Sequence, residues 1–124
     1  MKLDAFLAQL QNAPDTLMLD DTLNTIDTLY EFTPVAFSNG SMHNQAGEAV
    51  RSCKLYTFAR LHQLTEQQTL TCFGEHYREV LAEPQGTNHM TIRIFMRQGW
   101  SGLSFDGIPL KERAKFAAPE DEQT

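Results

Sequence analysis

Between Ala49 and Leu64 the apolar residues Val50, Cys53, Leu55, Tyr56, Phe58, Ala59, Leu61 and Leu64 occupy every side of a helical wheel instead of one stripe. A helix that is apolar all round has to be enclosed by other elements. A helix over about residues 47–64 is therefore expected at the centre of the fold, with the rest of the chain arranged to cover it. A chain of 124 residues is long enough for one such core and too short for two. With 41% hydrophobic and 21% charged residues, it buries enough apolar surface to fold alone. One domain over residues 1–116 is expected, with the acidic stretch 117–124 as a disordered tail.

The flanking segments supply one-sided stripes. Leu3, Phe6, Leu7 and Leu10 predict a helix over about 2–12, ended at Pro14, and Leu19, Leu23, Ile26, Leu29 and Tyr30 predict a second, with Asp20 and Asp21 in its first turn. Residues 34–40 are short, apolar and bounded by turn residues, which reads as a strand. Ser41 to Gly47 reads as a loop in which Asn44 caps a helix starting near Gln45. Thr65 and Glu66 open a fourth helix with the stripe Leu70, Phe73, Tyr77, Val80 and Leu81. Thr87 or Asn88 caps a fifth, carrying Ile92, Phe95 and Met96 and ending at Gly99. Residues 102–107 alternate like a strand and end in an Asp-Gly turn, and two isolated short strands need each other, so 102–106 is paired with 34–38. The fold class is α+β: a mainly helical single domain, about five helices around a buried central helix, with a small antiparallel β-sheet. This arrangement sets Trp100 and Phe105 beside the loop from Asn39 to Asn44.

Ten Lys and Arg against sixteen Asp and Glu leave a net charge of −6, which argues against general binding to nucleic acid or anionic lipid. No apolar run reaches the length of a membrane span and no signal-peptide pattern opens the chain, so the expected location is the cytoplasm. Cys53 and Cys72 are too few for a disulfide scaffold, and Cys53 reads as a small core residue. Neither a phosphate-binding glycine pattern nor a nucleophile elbow is present, so no cofactor and no complete catalytic motif are expected. Two constellations remain. Cys72, Glu75, His76 and Glu79 share one face of a continuous fourth helix, and thiolate, imidazole and carboxylate are zinc or iron ligands, which gives a metal-binding protein or enzyme as the alternative function. The loop from residue 39 to 47 offers backbone amides, the neutral donors Asn39, His43 and Asn44, and the charge of Arg51, a set suited to an anion or polar ligand. Arg93 and Arg97, four residues apart, read as a small basic edge.

The run from Tyr30 to Gly40 (YEFTPVAFSNG), the run from Ser52 to Leu61 (SCKLYTFARL), the run from Thr69 to Arg78 (TLTCFGEHYR), Gly86 to His89, Ile92 to Met96 and Gly99-Trp100 are similar to the HopJ type III effector family over roughly residues 3–111. The resemblance implies a bacterial protein and a secretion route by which it leaves the cell. It supplies no catalytic residue. The amphipathic pattern here starts at Leu3 instead of following a Ser- and Gln-rich leader, so export through a type III system is the alternative to a cytoplasmic location. With no motif for chemistry, the expected function is a non-enzymatic interaction or ligand-binding module whose partner is a protein or a small polar ligand.

Overall fold

The computed structural model describes residues 2–113, and the tail expected over 117–124 lies outside the described residues. Among the described residues there are six α-helices: α1 (Lys2–Asn12), α2 (Leu19–Leu29), α3 (Val50–Leu61), α4 (Glu66–Thr71), α5 (Glu75–Ala82) and α6 (Met90–Gln98). Five three-residue strands join them: β1 (Tyr30–Phe32), β2 (Phe37–Asn39), β3 (Met42–Asn44), β4 (Leu103–Phe105) and β5 (Leu110–Glu112). All pairings are antiparallel, in a two-stranded sheet β1-β5 and a three-stranded sheet β3-β2-β4. The α+β class holds, and the expected pairing of 34–38 with 102–106 is realised as Phe37–Asn39 against Leu103–Phe105.

Helix α3 is central, as its composition requires, but not closed on every side. Ser52, Cys53, Leu55, Tyr56, Phe58 and Ala59 are buried, whereas Leu61 at its end is 52% exposed. Tyr56 and Phe58, two residues apart, project to opposite sides because each residue advances a helix by about 100°. Phe58 meets Phe6 of α1 at 5.6 Å and Tyr30 of β1 at 6.2 Å between ring centroids. Tyr56 meets Phe73, just after α4, at 5.4 Å and Phe95 of α6 at 5.0 Å. The helix thus carries one aromatic cluster on each side.

The structure corrects the expected fourth helix, which is broken. Thr65 starts α4 with a capping box, its hydroxyl accepting from the Gln68 N–H while the Gln68 side chain accepts from the Thr65 N–H. The chain then leaves helical geometry at Gly74, which has φ +59° and lies so close to α2 that a Cβ there would stand 2.5 Å from the Leu19 nitrogen. Only glycine fits that contact and that conformation. The break turns Cys72 into the core, where its carbonyl accepts from the buried Thr22 hydroxyl at 2.7 Å.

Two further corrections concern the ends of α6. Its N-terminus is preceded by His89 at φ +53°, not capped by Thr87 or Asn88. Arg93 is buried instead of forming a basic edge with exposed Arg97: its guanidinium donates to the carbonyls of Glu83, Pro84 and Asn88 and to the Asn88 side chain. Those carbonyls belong to the α5–α6 turn, so the arginine fixes the turn from inside.

Truncation of Phe58 to Ala should cost about 3 to 5 kcal/mol, since the ring is fully buried and its neighbours belong to other elements. Glu79→Ala, at an exposed position whose carboxylate meets His89, should cost no more than about 1 kcal/mol. Gly74→Ala should destabilise by more than about 1 kcal/mol, because left-handed strain and a backbone collision coincide. Urea denaturation midpoints of the three variants check all of these.

Candidate functional site

The turn Gly40-Ser41 joins β2 to β3, with Gly40 at φ +60° in the first central position that a tight hairpin gives to glycine. Its tip is seated on α6, where a Cβ on Gly40 would stand 2.7 Å from Ile94. This hairpin replaces the loop expected over 41–47. The register sets Ser38 opposite His43 on one side and opposite Ser104 on the other. Alternation then gives His43, Ser38 and Ser104 one face of the sheet, while Phe37, Asn39, Leu103 and Phe105 take the other. On the inner face Phe37 and Phe105 stack at 5.5 Å.

A cleft of about 360 Å³ opens beside this hairpin, lined by Ala36, Phe37, Ser38, His43, Asn44, Gln45, Ala46 and Asp106. Ser38 Oγ and His43 Nδ1 are 2.8 Å apart. In the tautomer with the ring proton on Nε2, the serine hydroxyl donates to Nδ1 and the Nε2–H remains as a donor for a ligand. Among the described residues Asp106 supplies the cleft's one charged group, and no lysine or arginine lines it. No ion pair joins His43 to Asp106 among the described residues. The lining therefore offers hydroxyl, imidazole, amide and carboxylate groups, which suits a small polar ligand that is neutral or cationic.

Of the expected loop residues, the structure brings only His43 and Asn44 to this cleft. Asn44 caps no helix; it lies in β3, and α3 starts six residues later behind Ala49 at φ +50°. Asn39 is 1% exposed, and its amide nitrogen donates to the carbonyl and hydroxyl of Thr91 at 2.9 and 3.0 Å, fixing β2 to α6. Its side-chain oxygen has no partner among the described residues. Arg51 is exposed and outside the cleft, so the anion site expected from Arg51 and a helix N-terminus does not form. Phe105 does approach the hairpin, but Trp100 packs on Phe95 at 5.2 Å and under Arg60, on the α3 side. Ser38 and Asp106 carry no motif in the sequence; the Ser38-to-His43 spacing across a Gly-Ser turn is the signal that finds the first of them.

The metal-ligand face expected from Cys72, Glu75, His76 and Glu79 is not assembled. The break at Gly74 is the reason: it turns Cys72 inward to 0% exposure and sends Glu75 to α2, where it accepts from the Leu19 N–H at 2.8 Å. His76 stacks on His89 at 4.5 Å, and His89 Nε2 lies 2.7 Å from Glu79 Oε1, so these three tie α5 to the start of α6. Among the described residues no group of three or more His, Cys, Asp and Glu side chains is placed to hold a metal ion. Burial pushes the thiols of Cys53 and Cys72 up, to about 11 and about 12, which keeps both in the protonated form at neutral pH. Cys53 is the core residue that the sequence suggests.

The family model described as HopJ type III effector protein matches residues 3–110. Among solved structures, the crystal structure described as unknown function protein VPA0580 is similar, with 39% sequence identity and a TM-score of 0.87, covering 91% of this chain and 95% of that one. No curated protein matches the chain.

The Glu75 contact has a pH signature. Partial burial works to raise its pKa, but the Leu19 N–H, its own amide and the nearby His76 and Arg78 outweigh that and hold the carboxyl below its usual range. A depressed carboxyl stabilises the fold above its unfolded pKa, about 4.3, and that contribution is lost as pH falls through the folded value. Glu75→Gln should therefore melt below the parent protein at pH 7, and the gap in Tm should close as the pH falls below about 4. Thermal melts across pH 3 to 7 measure it.

Proposed function

Since the chain belongs to the HopJ type III effector protein family, a membership that carries no reaction with it, we propose that it is a binding module that performs no chemistry. It takes a small neutral or cationic polar ligand in the cleft beside the β2–β3 hairpin. The observation that carries this reading is the hydrogen-bonded pair of Ser38 and His43 on the cleft wall, with Asp106 as the one charge opposite incoming ligand. An imidazole donor, a hydroxyl and a carboxylate are a recognition set for hydroxyl or amine groups, and a lining without a cation among the described residues disfavours phosphates and carboxylic acids. Protonated, buried thiols support binding without covalent chemistry.

The same reading takes the site of action to be the cytoplasm, with the type III route in the family description as the alternative. No helix among the described residues is long and apolar enough to cross a membrane. A reporter fusion assayed for translocation into a recipient cell separates the two locations.

The test is a thermal-shift screen of the purified protein against polyols, amino sugars and polyamines on one side and phosphates and dicarboxylates on the other. A ligand at a hundred times its Kd stabilises by about 2.7 kcal/mol, a shift of several degrees for a domain of this size. We expect such a shift from a neutral or cationic compound and its loss in both His43→Ala and Asp106→Ala. Stabilisation by anions alone, or a shift that persists in both variants, would remove the cleft as the site.

A further inference from the structure

On the far side of the three-stranded sheet from the hairpin, β4 has an edge that no strand among the described residues pairs with. The Gly40 N–H donates to the Gly102 carbonyl at 2.8 Å and the Asp106 N–H to the Ala36 carbonyl at 2.9 Å. In an antiparallel ladder, alternate residues exchange bonds with the partner strand, so residues 102, 104 and 106 face β2 while the backbone groups of Leu103 and Phe105 face away. The Leu103 N–H is taken by the Trp100 carbonyl. The N–H and C=O of Phe105 have no neighbouring strand, because the order β3-β2-β4 ends there.

A second cleft of about 430 Å³ lies beside Phe105, between the end of α3 and the connection from β4 to β5. Leu61 and Ile108 line it and are 52% and 83% exposed, unusual for such side chains. Its one charge is Arg60. The guanidinium lies 5.3 Å from the Trp100 ring and 5.5 Å from the Phe105 ring, with a single long bond of 3.5 Å to the Trp100 carbonyl. No carboxylate of the described residues pairs with it. In a chain of net charge −6, this cleft therefore presents an arginine held in place by two rings and left without a counter-charge among the described residues. Arginine and tryptophan beside apolar surface are the residues that dominate protein interfaces.

We propose that the open edge of β4 is a docking site for an extended segment of a partner protein, one that carries an acidic residue within an alternating apolar run. The segment adds as a strand: it exchanges two backbone hydrogen bonds with Phe105, and its alternate side chains enter the cleft. There an apolar side chain covers Leu61 and Ile108, and the carboxylate meets Arg60. The surface is separate from the ligand cleft, since Arg60, Leu61 and Ile108 take no part in that lining.

The test pans a random peptide display library on the full chain and on Arg60→Gln, a change at an exposed position. Enriched sequences are then made as synthetic peptides and titrated by the fluorescence of Trp100, the chain's one tryptophan. The expected result is a family of peptides with an acidic residue in an alternating apolar run. Their affinity should fall at least tenfold with Arg60→Gln, fall similarly when alternate peptide amides are N-methylated, and stay unchanged with His43→Ala. The N-methylated peptides probe the strand mode on the unaltered protein, so the result does not depend on how the variant folds. No enrichment, equal binding to Arg60→Gln, or indifference to N-methylation would overturn the proposal. So would a dimer of the protein itself that excludes the peptides from this edge.

Discussion

Everything in this domain is arranged around the need to cover a helix on two sides. Tyr56 and Phe58 point roughly 200° apart on α3, so no single neighbour can bury both. Helix α1 and strand β1 close over Phe58, while the α4–α5 segment and α6 close over Tyr56. The three-stranded sheet is held to this assembly through α6: Asn39 bonds to Thr91, and the Tyr56 hydroxyl donates to the Thr91 carbonyl at 3.0 Å. One residue at the start of α6 thereby connects the central helix to the sheet that carries the cleft.

What could be read from the sequence follows from how each element earns its place. The helices α1, α2 and α6 show a stripe because they are covered on one side, and the centrality of α3 shows in the lack of one. The break between α4 and α5 leaves the stripe of Leu70, Phe73, Tyr77 and Val80 intact to the eye, since two short helices packed on the same core keep their apolar residues facing it. Gly74 was the visible sign, but the reason for it is the backbone of Met18 and Leu19, more than fifty positions earlier. Likewise Arg93 reads as a surface charge until the carbonyls of Glu83, Pro84 and Asn88 are brought around it.

The site was legible only in part for the same reason. His43 and Asn44 lie where a polar segment between strand and helix suggests a ligand, and they do line the cleft. Asn39 has the same composition signal but the opposite fate, because a strand alternates its faces and Asn39 falls on the inner one. Asp106 comes from the other end of the chain and is brought to Phe37 and Ser38 by strand pairing alone. Strands of three residues carry too little pattern to announce such pairings, and β1 and β5 give no periodic sign at all.

The pairing of the strands also governs when the protein can be finished during synthesis. Strand β1 finds its partner only at Leu110–Glu112, and β2 gains its second partner only at Leu103–Phe105. A chain made only as far as residue 100 would contain the sequence of all six helices with both sheets still incomplete. Contacts of such long sequence separation form late and slowly. The final dozen described residues act as a clasp for the sheets alone: without them the helices still pack around α3, but β1 has no partner and β2 keeps only β3.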